Sequence, residues 1–460
     1  MAAASDSDGR LARLVELVRE VGAERDLDVL LGKIVEAIRR ELGADRASLF
    51  LYDRERNELW SKVAQGLDSQ EIRFSASEGL AGYVARTGEV LNIPDAYQDA
   101  RFNREIDKHT GYRTRSALCA PLRGRDGEVT GVVQALNKRG GQPFDARDAE
   151  ALTSLAGLAA VAVENALLHE QNEALLENLV LASSQAIEER DPPTSGHSHR
   201  VARFAAELAR AVNARAAELG QGYTRDRLRQ LRYAALLHDF GKIGVREAVL
   251  TKAKKLTPAE FGRIAERLRR FAAEAGARFR GSEFQGTEHQ QATKLAARAN
   301  RPVPLSDADA AALEALRAKG WLTERECATL SIRKGTLTAR EWADMQSHPE
   351  RSWRVLARVR WPRRLSEVPE LTHDHHEKPS GSGYPRRLPK ESIPFDALIL
   401  AVADVYDALT ANDRPYKRAI CHERAKAIME SMAKGGELDP RLTALFFEKE
   451  CFKEPEGGGR

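Results

Sequence analysis

The chain has 460 residues, of which 42% are hydrophobic and 30% charged, and its formal net charge is +4. These values predict two or three folded domains, exclude a wholly disordered chain, and do not favour nucleic acid as a partner. We expect neither a membrane span nor a signal peptide, since no apolar run approaches about eighteen residues. Four cysteines without a disulfide spacing predict a reducing, cytoplasmic location: Cys119, Cys327, Cys421 and Cys451.

The first third of the chain predicts a mixed α and β domain. Residues 1–9 are small and polar and are expected to be disordered, and a helix is predicted over Leu11–Leu42. Apolar residues then predict strands over Ala47–Tyr52, Leu59–Ala64 and Glu128–Asn137. These elements follow the order helix, strands, helix, strands and helix.

Short motifs in this first segment carry a family resemblance. The motifs are Gly79-Leu80-Ala81-Gly82-Tyr83-Val84 with Thr87-Gly88, Asn92-Ile93-Pro94-Asp95-Ala96, Arg101-Phe102 and Ala120-Pro121-Leu122. With them, residues 10–170 resemble a GAF sensor domain. The resemblance implies an α/β fold with an antiparallel sheet flanked by helices, which binds a small ligand or serves as a dimer interface.

A further group of residues bears on the ligand of this domain. Asn137-Lys138, Phe144 and Asp148 are similar to the signature of GAF domains that bind cyclic mononucleotides, although Ala149 stands where a glutamate is expected. The resemblance implies a cyclic mononucleotide or another small ligand. The same residues would equally brace the sheet of a domain that only dimerises, and both alternatives stay open.

A long helix is predicted from Asp148 to Glu189, because this stretch has no proline, a single glycine and a sustained apolar series. Residues 171–185 are expected to form the helical linker between two domains. The spacing suits pairing with a second copy, so we expect a homodimer through the GAF domain and this helix rather than a helix packed only within its own chain. The series is Leu152, Leu155, Leu158, Val161, Leu168, Leu175 and Leu179.

The rest of the chain contains scattered histidines and aspartates in helical stretches. Five imidazoles and two carboxylates are enough ligands for two divalent metals, which indicates metal-assisted hydrolysis. Without cysteine, such a set suits iron, manganese or zinc. The apolar run before the His238-Asp239 pair predicts a helix that ends at this pair. The glycine that follows the pair is expected to stop this helix. The seven candidates are His197, His238, Asp239, His348, His375, His376 and Asp404.

The order of the motifs around these residues carries a second resemblance. The pieces, in chain order, are Arg190-Asp191-Pro192 with Thr194 and Gly196-His197, His238 to Gly244, His348-Pro349, His375-His376-Glu377 with Gly381, Gly383, Tyr384 and Pro385, Asp404 to Thr410, and Arg414 to Lys417. With them, residues 186–436 resemble the HD-GYP phosphodiesterases, the cyclic-dinucleotide branch of the HD hydrolase superfamily. The resemblance implies an all-α domain.

The resemblance implies two metal ions, iron or manganese, and a ligand set for each. His197, His238 and Asp404 would gather around one ion, and His348, His375 and His376 around the other. Asp239 is expected to bridge them, because each of its carboxylate oxygens can reach a different ion.

The implied reaction is hydrolysis of cyclic di-GMP to pGpG or to GMP. Alternatives are another cyclic dinucleotide such as cyclic GMP-AMP, a nucleotide phosphohydrolase, or a metal- or nucleotide-binding scaffold that signals by contact. Catalysis is assigned to Asp239 and Lys242, the lysine neutralising phosphate or assisting the leaving oxygen. Substrate binding is assigned to Lys242, Tyr384, Arg414 and Lys417.

Departures from the family pattern define further expectations. Pro193 stands where some members place a glutamate that recruits a third metal, so two ions are expected. Residues 262–334 are an insertion, predicted to be helical and to form a lid or a partner surface. Three similar Leu-Thr segments at its edges are explained by capping boxes, in which a threonine opens a helix and a glutamate closes the cap. Residues 437–460 are expected to be a C-terminal tail.

Overall fold

The computed structural model describes residues 24, 26–61, 72–191, 195–278, 287–411 and 419–453. Contacts divide the chain into two compact units, Met1–Leu176 and Glu177–Arg460. The segment 1–9 predicted to be disordered, and the predicted substrate residues Arg414 and Lys417, lie outside the described residues. Pro193 lies outside them as well.

The first unit is built on a six-stranded antiparallel sheet in the order β3-β2-β1-β6-β5-β4. Strands β1 and β6 at its centre carry apolar side chains on both faces, so each face needs a helical cover. The strands are β1 (Ala44–Asp53), β2 (Glu58–Ser61), β3 (Ile72–Ser75), β4 (Leu91–Ile93), β5 (Ala117–Arg123) and β6 (Val129–Lys138).

Helices cover the two faces of this sheet. The apolar residues of α1 and of the first part of α4 share one buried cluster with the sheet, and those of α2 share the other. The predicted α/β arrangement of an antiparallel sheet flanked by helices is therefore confirmed. The helices are α1 (Leu27–Glu41), α2 (Gly79–Thr87), α3 (Arg104–Thr110) and α4 (Ala146–Arg190).

The helix predicted over Leu11–Leu42 begins later than the sequence indicates. Asp26 has an extended backbone, and its side chain accepts hydrogen bonds from the backbone N–H groups of Asp28 and Val29. This cap starts α1 at Leu27. A helix running unbroken through residue 26 is therefore wrong, and residues 1–23 lie outside the described part of the chain.

The long helix predicted over Asp148–Glu189 is observed as α4. It is the one helix among the described residues that is long and apolar enough to cross a membrane by length and composition, with a mean hydropathy of 1.6 over an 18-residue window. Thr153, Ser154, Glu164 and Asn165 interrupt the apolar residues of this helix, so the prediction that no apolar run approaches about eighteen residues is not contradicted. Of that window, 44% is buried, and Leu152 and Leu155 pack in the core of the sheet. A core helix passes the same test, so the finding is weak evidence for a span.

The described part of the second unit contains helices and no strand. Among its described 3₁₀ helices, Phe240–Gly244 contributes to the site, and the others are Arg363–Leu365 and Lys390–Ser392. The helices are α5 (His197–Ala214), α6 (Ala216–Leu219), α7 (Arg225–Leu237), α8 (Glu247–Leu250), α9 (Pro258–Arg278), α10 (Thr287–Ala299), α11 (Asp307–Ala318), α12 (Glu324–Leu330), α13 (Ala339–Gln346), α14 (His348–Leu356), α15 (Val368–Asp374), α16 (Phe395–Thr410), α17 (His422–Lys434) and α18 (Pro440–Glu448).

The predicted insertion forms helices α9 to α12 around an apolar cluster of its own, which includes Ile264, Leu268 and Leu313. Its two ends are held together at a neck. Both carboxylate oxygens of Glu341 lie within 2.8 Å of Nζ of Lys252. The hydroxyl of Thr336 donates to the carbonyl oxygen of Lys252 at 2.8 Å. The insertion therefore leaves and rejoins the unit at one place.

Local capping accounts for the similar segments at the edges of the insertion. Thr323 and Glu326 form a capping box at the start of α12, and Thr338 and Glu341 form one at the start of α13. Thr257 makes the same reciprocal hydrogen bonds before α9. The likeness follows from helix capping and needs no duplication.

The segment predicted as a tail from residue 437 is structured as far as Lys453. Leu442 and Phe446 of α18 are fully buried, and the ring of Phe446 contacts those of Phe204 and Tyr406. The predicted boundary at 436 is therefore too early. The sequence pattern was obscured because α18 has only nine residues and follows two glycines.

Candidate metal centre

The seven predicted ligands, which we call the ligand cluster, converge from five places in the second unit. Each of them sits at or near a helix end except Asp404, which lies within α16. Three groups of three residues offer ligand atoms that all lie within 4.8 Å of one another. The groups are His197 with His238 and Asp404, His348 with His375 and His376, and His238 with Asp239 and His375.

Three of the imidazoles are oriented in the same way by the backbone. Each Nδ1 contacts the carbonyl oxygen of the third residue before it. A carbonyl only accepts, so Nδ1 carries the proton and Nε2 keeps its lone pair, which is the form that binds a metal. Nε2 of His348 lies 3.4 Å from Nε2 of His375. The pairs are His238 with Ala235 (2.7 Å), His348 with Met345 (2.8 Å) and His375 with Thr372 (2.7 Å).

His197 is oriented by a carboxylate instead. Its Nδ1 donates to Oδ2 of Asp407 at 2.7 Å, and Arg200 donates to both oxygens of Asp407 at 2.6 and 3.0 Å. The Nε2 atom then faces Oδ1 of Asp404 at 3.3 Å. A carboxylate behind a ligating histidine fixes its ring and raises its basicity.

The start of α5 is fixed by the end of the preceding helix. Oε2 of Glu188 in α4 accepts from the backbone N–H of Gly196 at 2.7 Å, and Oε1 accepts from that of Ser198 at 3.1 Å. These bonds satisfy N–H groups that an α-helix leaves without a partner in its first turn. They place His197 at the beginning of α5.

Close packing brings the His238-Asp239 pair to His348. A Cβ on Gly241 would clash with the carbonyl oxygen of His348 and the backbone nitrogen of Ser352. The backbone N–H of Gly241 donates to Oγ of Ser352 at 2.7 Å, and this hydroxyl lies 3.2 Å from the carbonyl oxygen of His238. Glycine at position 241 therefore allows the 3₁₀ helix to approach the backbone of α14 closely. Helix α7 already ends at Leu237, so the prediction that glycine stops it is wrong.

Asp239 lies between the two histidine groups. Its Oδ1 is 3.4 Å from Nε2 of His348, and its Oδ2 is 3.4 Å from Nε2 of His238. Burial raises the pKa of Asp239, but Lys242 and the neighbouring imidazoles outweigh burial and hold this pKa well below its usual range. The carboxylate is therefore ionised, with one oxygen directed at each group.

The histidines differ in their protonation. Burial lowers the pKa of His348 to about 4 and that of His376 to about 3, and it also lowers the pKa of His375. These rings are neutral at pH 7, so each keeps a nitrogen lone pair, and in His348 and His375 this lone pair is on Nε2. Burial also acts to lower the pKa of His197, but Asp404 and Asp407 together raise it to about 9. Binding of a cation at His197 is therefore coupled to the release of a proton.

Lys242 lies beside the cluster between two carboxylates. Its Nζ is 2.8 Å from Oδ2 of Asp239 and 3.0 Å from Oδ2 of Asp191. Burial lowers the pKa of Lys242, yet the two aspartates reverse the effect and the net pKa is raised. The ammonium stays protonated at neutral pH, so this group can donate hydrogen bonds and cannot act as a general base.

Tyr384 borders the cluster on the side of His376. The centroids of the two rings lie 4.7 Å apart at 35°. Its loop is held by Glu377, whose Oε1 accepts from the backbone N–H groups of Arg386 and Arg387 at 2.6 and 3.0 Å. A Cβ on Gly383 would clash with the backbone of Glu377, so the loop requires glycine there.

The supporting residues were not predicted from the sequence. Asp191, Glu377 and Asp407 lie within the motifs, but the sequence alone indicated no role for them. A signal was present for Asp407, because a residue three positions after Asp404 lies on the same face of a helix. No sequence spacing connects Ser352 to Gly241, because their contact arises only from the packing of α14 on the 3₁₀ helix.

The predicted nucleotide signature of the first unit forms structural contacts. Oδ1 of Asn137 accepts from the backbone N–H groups of Arg115 and Ser116, and Nζ of Lys138 pairs with Asp148. These bonds hold the ends of β5 and β6 and the start of α4. They are the contacts expected of residues that brace the sheet.

Comparison with known proteins assigns both units. A GAF domain model matches residues 26–163, and HD domain models match residues 194–313 and 283–442. The chain therefore carries an N-terminal GAF domain followed by a largely helical HD region.

Two curated relatives are phosphodiesterases by name. The dual 3',5'-cyclic-AMP and -GMP phosphodiesterase 11A of Takifugu rubripes is 40% identical over 182 residues, and the dual 3',5'-cyclic-AMP and -GMP phosphodiesterase 11 of Drosophila melanogaster is 37% identical over 176 residues. Each match covers 35% of this chain. The chain spans 20% of the first relative and 12% of the second.

Solved structures resemble one part of the chain. The GAF domain of the Acinetobacter phosphoenolpyruvate-protein phosphotransferase is 23% identical with a TM-score of 0.31, covering 35% of this chain and 96% of that chain. The GAF domain/HD domain protein from Geobacter sulfurreducens is 18% identical with a TM-score of 0.28, covering 32% of this chain and 98% of that chain.

Proposed function

We propose that the HD region is a phosphodiesterase of the HD-GYP type that holds two divalent metal ions, iron or manganese. The observation that carries this proposal is the position of Asp239, whose two oxygens face two separate groups of imidazoles. His197, His238 and Asp404 would hold one ion, and a second ion would be held by His348, His375 and His376. A donor set made only of imidazole nitrogens and carboxylate oxygens suits iron and manganese.

The chemistry follows from the donor set and its surroundings. A pair of divalent ions, when bound, supplies hydroxide at neutral pH and absorbs the charge that develops on the phosphate oxygens. Asp239 is an ionised carboxylate, and it would fix the two ion sites relative to each other because one of its oxygens faces each site. Lys242, protonated and held beside it, donates a hydrogen bond to a phosphate oxygen or to the leaving oxygen. Tyr384 forms an aromatic wall for a base or sugar against His376.

The proposed substrate is cyclic di-GMP, opened to pGpG or onward to GMP. The ordered motifs from His197 to Tyr384 support a cyclic dinucleotide, whereas the names of the two relatives support cyclic AMP and cyclic GMP. Cyclic GMP-AMP is a further candidate. Purified protein loaded with Mn(II) or Fe(II) should be assayed against all four nucleotides. Turnover of cyclic AMP or cyclic GMP, without turnover of either cyclic dinucleotide, would contradict the dinucleotide assignment.

A metal-holding signalling scaffold is the competing function. It predicts about two metals per chain and no turnover of any of these nucleotides. The ionised Asp239 and the protonated Lys242 beside the cluster favour the enzyme, because a scaffold has no need of a charged donor at the bridge. Asp239→Ala should abolish turnover and lower the metal content.

The matched control for this variant is Asp396→Asn. Asp396 is also a buried aspartate of the same unit, but it pairs with Arg227 at 2.7 Å and Tyr223 at 2.5 Å, outside the ligand cluster. The control should keep its metal content. If Asp239→Ala retained turnover, the bridging assignment would be wrong.

We further propose that the protein forms a homodimer along α4. Exposed apolar residues on this helix follow a three-four spacing, and Asn165 and Asn172 continue that spacing at positions where a polar residue fixes a two-stranded register. Replacing Leu168 and Leu175 by lysine should convert a dimer into a monomer in light scattering. The apolar residues are Leu158, Val161, Leu168, Leu175 and Leu179.

The GAF domain is proposed to act as the regulatory part of such a dimer. The bracing contacts of Asn137 and Lys138 explain these residues without a nucleotide. Isothermal titration with cyclic AMP and cyclic GMP tests a ligand directly. Absence of binding to an active dimer would favour dimerisation as the role of this domain.

A further inference from the structure

Arg387 has a strained backbone in the loop that carries Tyr384. Its φ angle is +56°, in the left-handed region that favours glycine. Three other described non-glycine residues have a positive φ: Asn57, Asn137 and Glu450. Asparagine tolerates this conformation because its short polar side chain bonds locally, whereas a long arginine has no such compensation.

The backbone of Arg387 is fixed by the residue that follows His376. The carboxylate of Glu377 is buried, with 1% of the residue exposed. It accepts from the backbone N–H of Arg387 at 3.0 Å, and from those of Arg386 and Leu388 at 2.6 and 2.9 Å. The loop is therefore held in place against the histidines, and the unfavourable φ persists because three hydrogen bonds enforce it.

The other cations of this loop have carboxylate partners. Lys378 pairs with Glu437 at 2.6 Å, Arg386 pairs with Asp374, and Lys390 lies 3.6 Å from Asp439. The Arg387 guanidinium is exposed and has no such partner among the described residues. A glycine would relieve the backbone strain here, yet the position holds an unpaired positive charge. Strain retained at a site of this kind is a mark of function.

We propose that the Arg387 side chain binds an anionic phosphate of the substrate at the mouth of the site. This inference rests on the proposed phosphodiesterase function. A guanidinium offers two parallel N–H donors to two phosphate oxygens, so it recognises phosphate better than an ammonium does. Because the loop also carries Tyr384, Arg387 would hold the phosphate while a base or sugar lies against the tyrosine ring.

Three variants test the proposal. Arg387→Gly and Arg387→Asn both suit the backbone conformation, and each should raise the melting temperature by about 2 °C. Each should also raise KM for the nucleotide that the wild type hydrolyses by at least about tenfold, because both charge-assisted hydrogen bonds of the guanidinium are lost, with kcat within about twofold. Arg387→Lys keeps the charge without the fork and should recover part of the affinity.

Glu450→Gly is the matched control. It relieves the same kind of strain at the end of α18, where Glu450 has a φ of +49° and pairs with Lys453 at 2.7 Å. This variant should gain stability and keep its KM. A KM in Arg387→Gly and Arg387→Asn equal to that of the wild type would overturn the proposal. Absence of turnover by the wild type would instead overturn the proposed function. The role of Arg387 would then be tested by titration, which compares the affinity of the wild type and of the Arg387 variants for cyclic di-GMP.

Discussion

His197 donates from Nδ1 to Asp407 at 2.7 Å, and this bond sets the direction of the Nε2 atom at the candidate metal centre. Asp407 is held in turn by Arg200. His197 and Arg200 lie in α5, and Asp407 lies in α16. Their charged hydrogen bonds therefore fix the position of α5 relative to α16 at the ligand cluster.

Replacing Asp407 by Asn should weaken metal binding at the His197 group by about 10- to 100-fold, because the carboxylate orients the ring and strengthens it as a donor. The effect is measured by isothermal titration with Mn(II). Asp396→Asn on the same helix removes a buried carboxylate elsewhere and should leave the affinity unchanged. Equal losses in both variants would indicate a general loss of folding.

His375→Ala should reduce the metal content below two per chain and abolish turnover, whereas His373→Ala should not. The two histidines are two residues apart, but Nε2 of His373 lies 2.9 Å from Oε2 of Glu350 and its ring stacks on Trp353. Elemental analysis of both variants measures the difference. A metal deficit in His373→Ala would contradict the ligand assignment.

Gly241→Ala should destabilise the protein by about 3 kcal/mol, because a new methyl group meets the backbone of α14 on two sides. The displaced His348 should also reduce metal binding. Urea denaturation measures the free energy of unfolding. Gly262→Ala, in α9 with nothing within 4 Å of the new methyl group, should instead stabilise by about 0.5–1 kcal/mol.

Removal of metal should lower the thermal stability of the HD region. Cations bind the folded cluster and not the unfolded chain, so Mn(II) at about 100 times its dissociation constant should contribute about 2.7 kcal/mol per site. Differential scanning calorimetry with chelator and then with Mn(II) measures the shift. A transition that does not respond to Mn(II) would contradict a metal centre at these residues.

The convergence of the seven residues of the ligand cluster and the order of a GAF domain and an HD region agree with the sequence prediction. Motifs in a fixed order can be recognised without knowledge of tertiary contacts. The sequence did not predict the end of α7, the start of α1 or the helix α18. Each of these depends on contacts distant in sequence or on a single capping residue: Gly241 packs on α14, Asp26 caps α1, and Phe446 packs on Phe204. Periodicity reports which face of an element is apolar, and not what it will contact.

The neck between Lys252 and Glu341 has a consequence for how this domain can change. When the two ends of a segment are held together, the entropic cost of closing the segment rises only slowly with its length. A doubling in length costs only about 0.6 kcal/mol. Helices α9 to α12 can therefore be exchanged, shortened or extended in evolution while His238 and His348, on either side of the clasp, keep their separation.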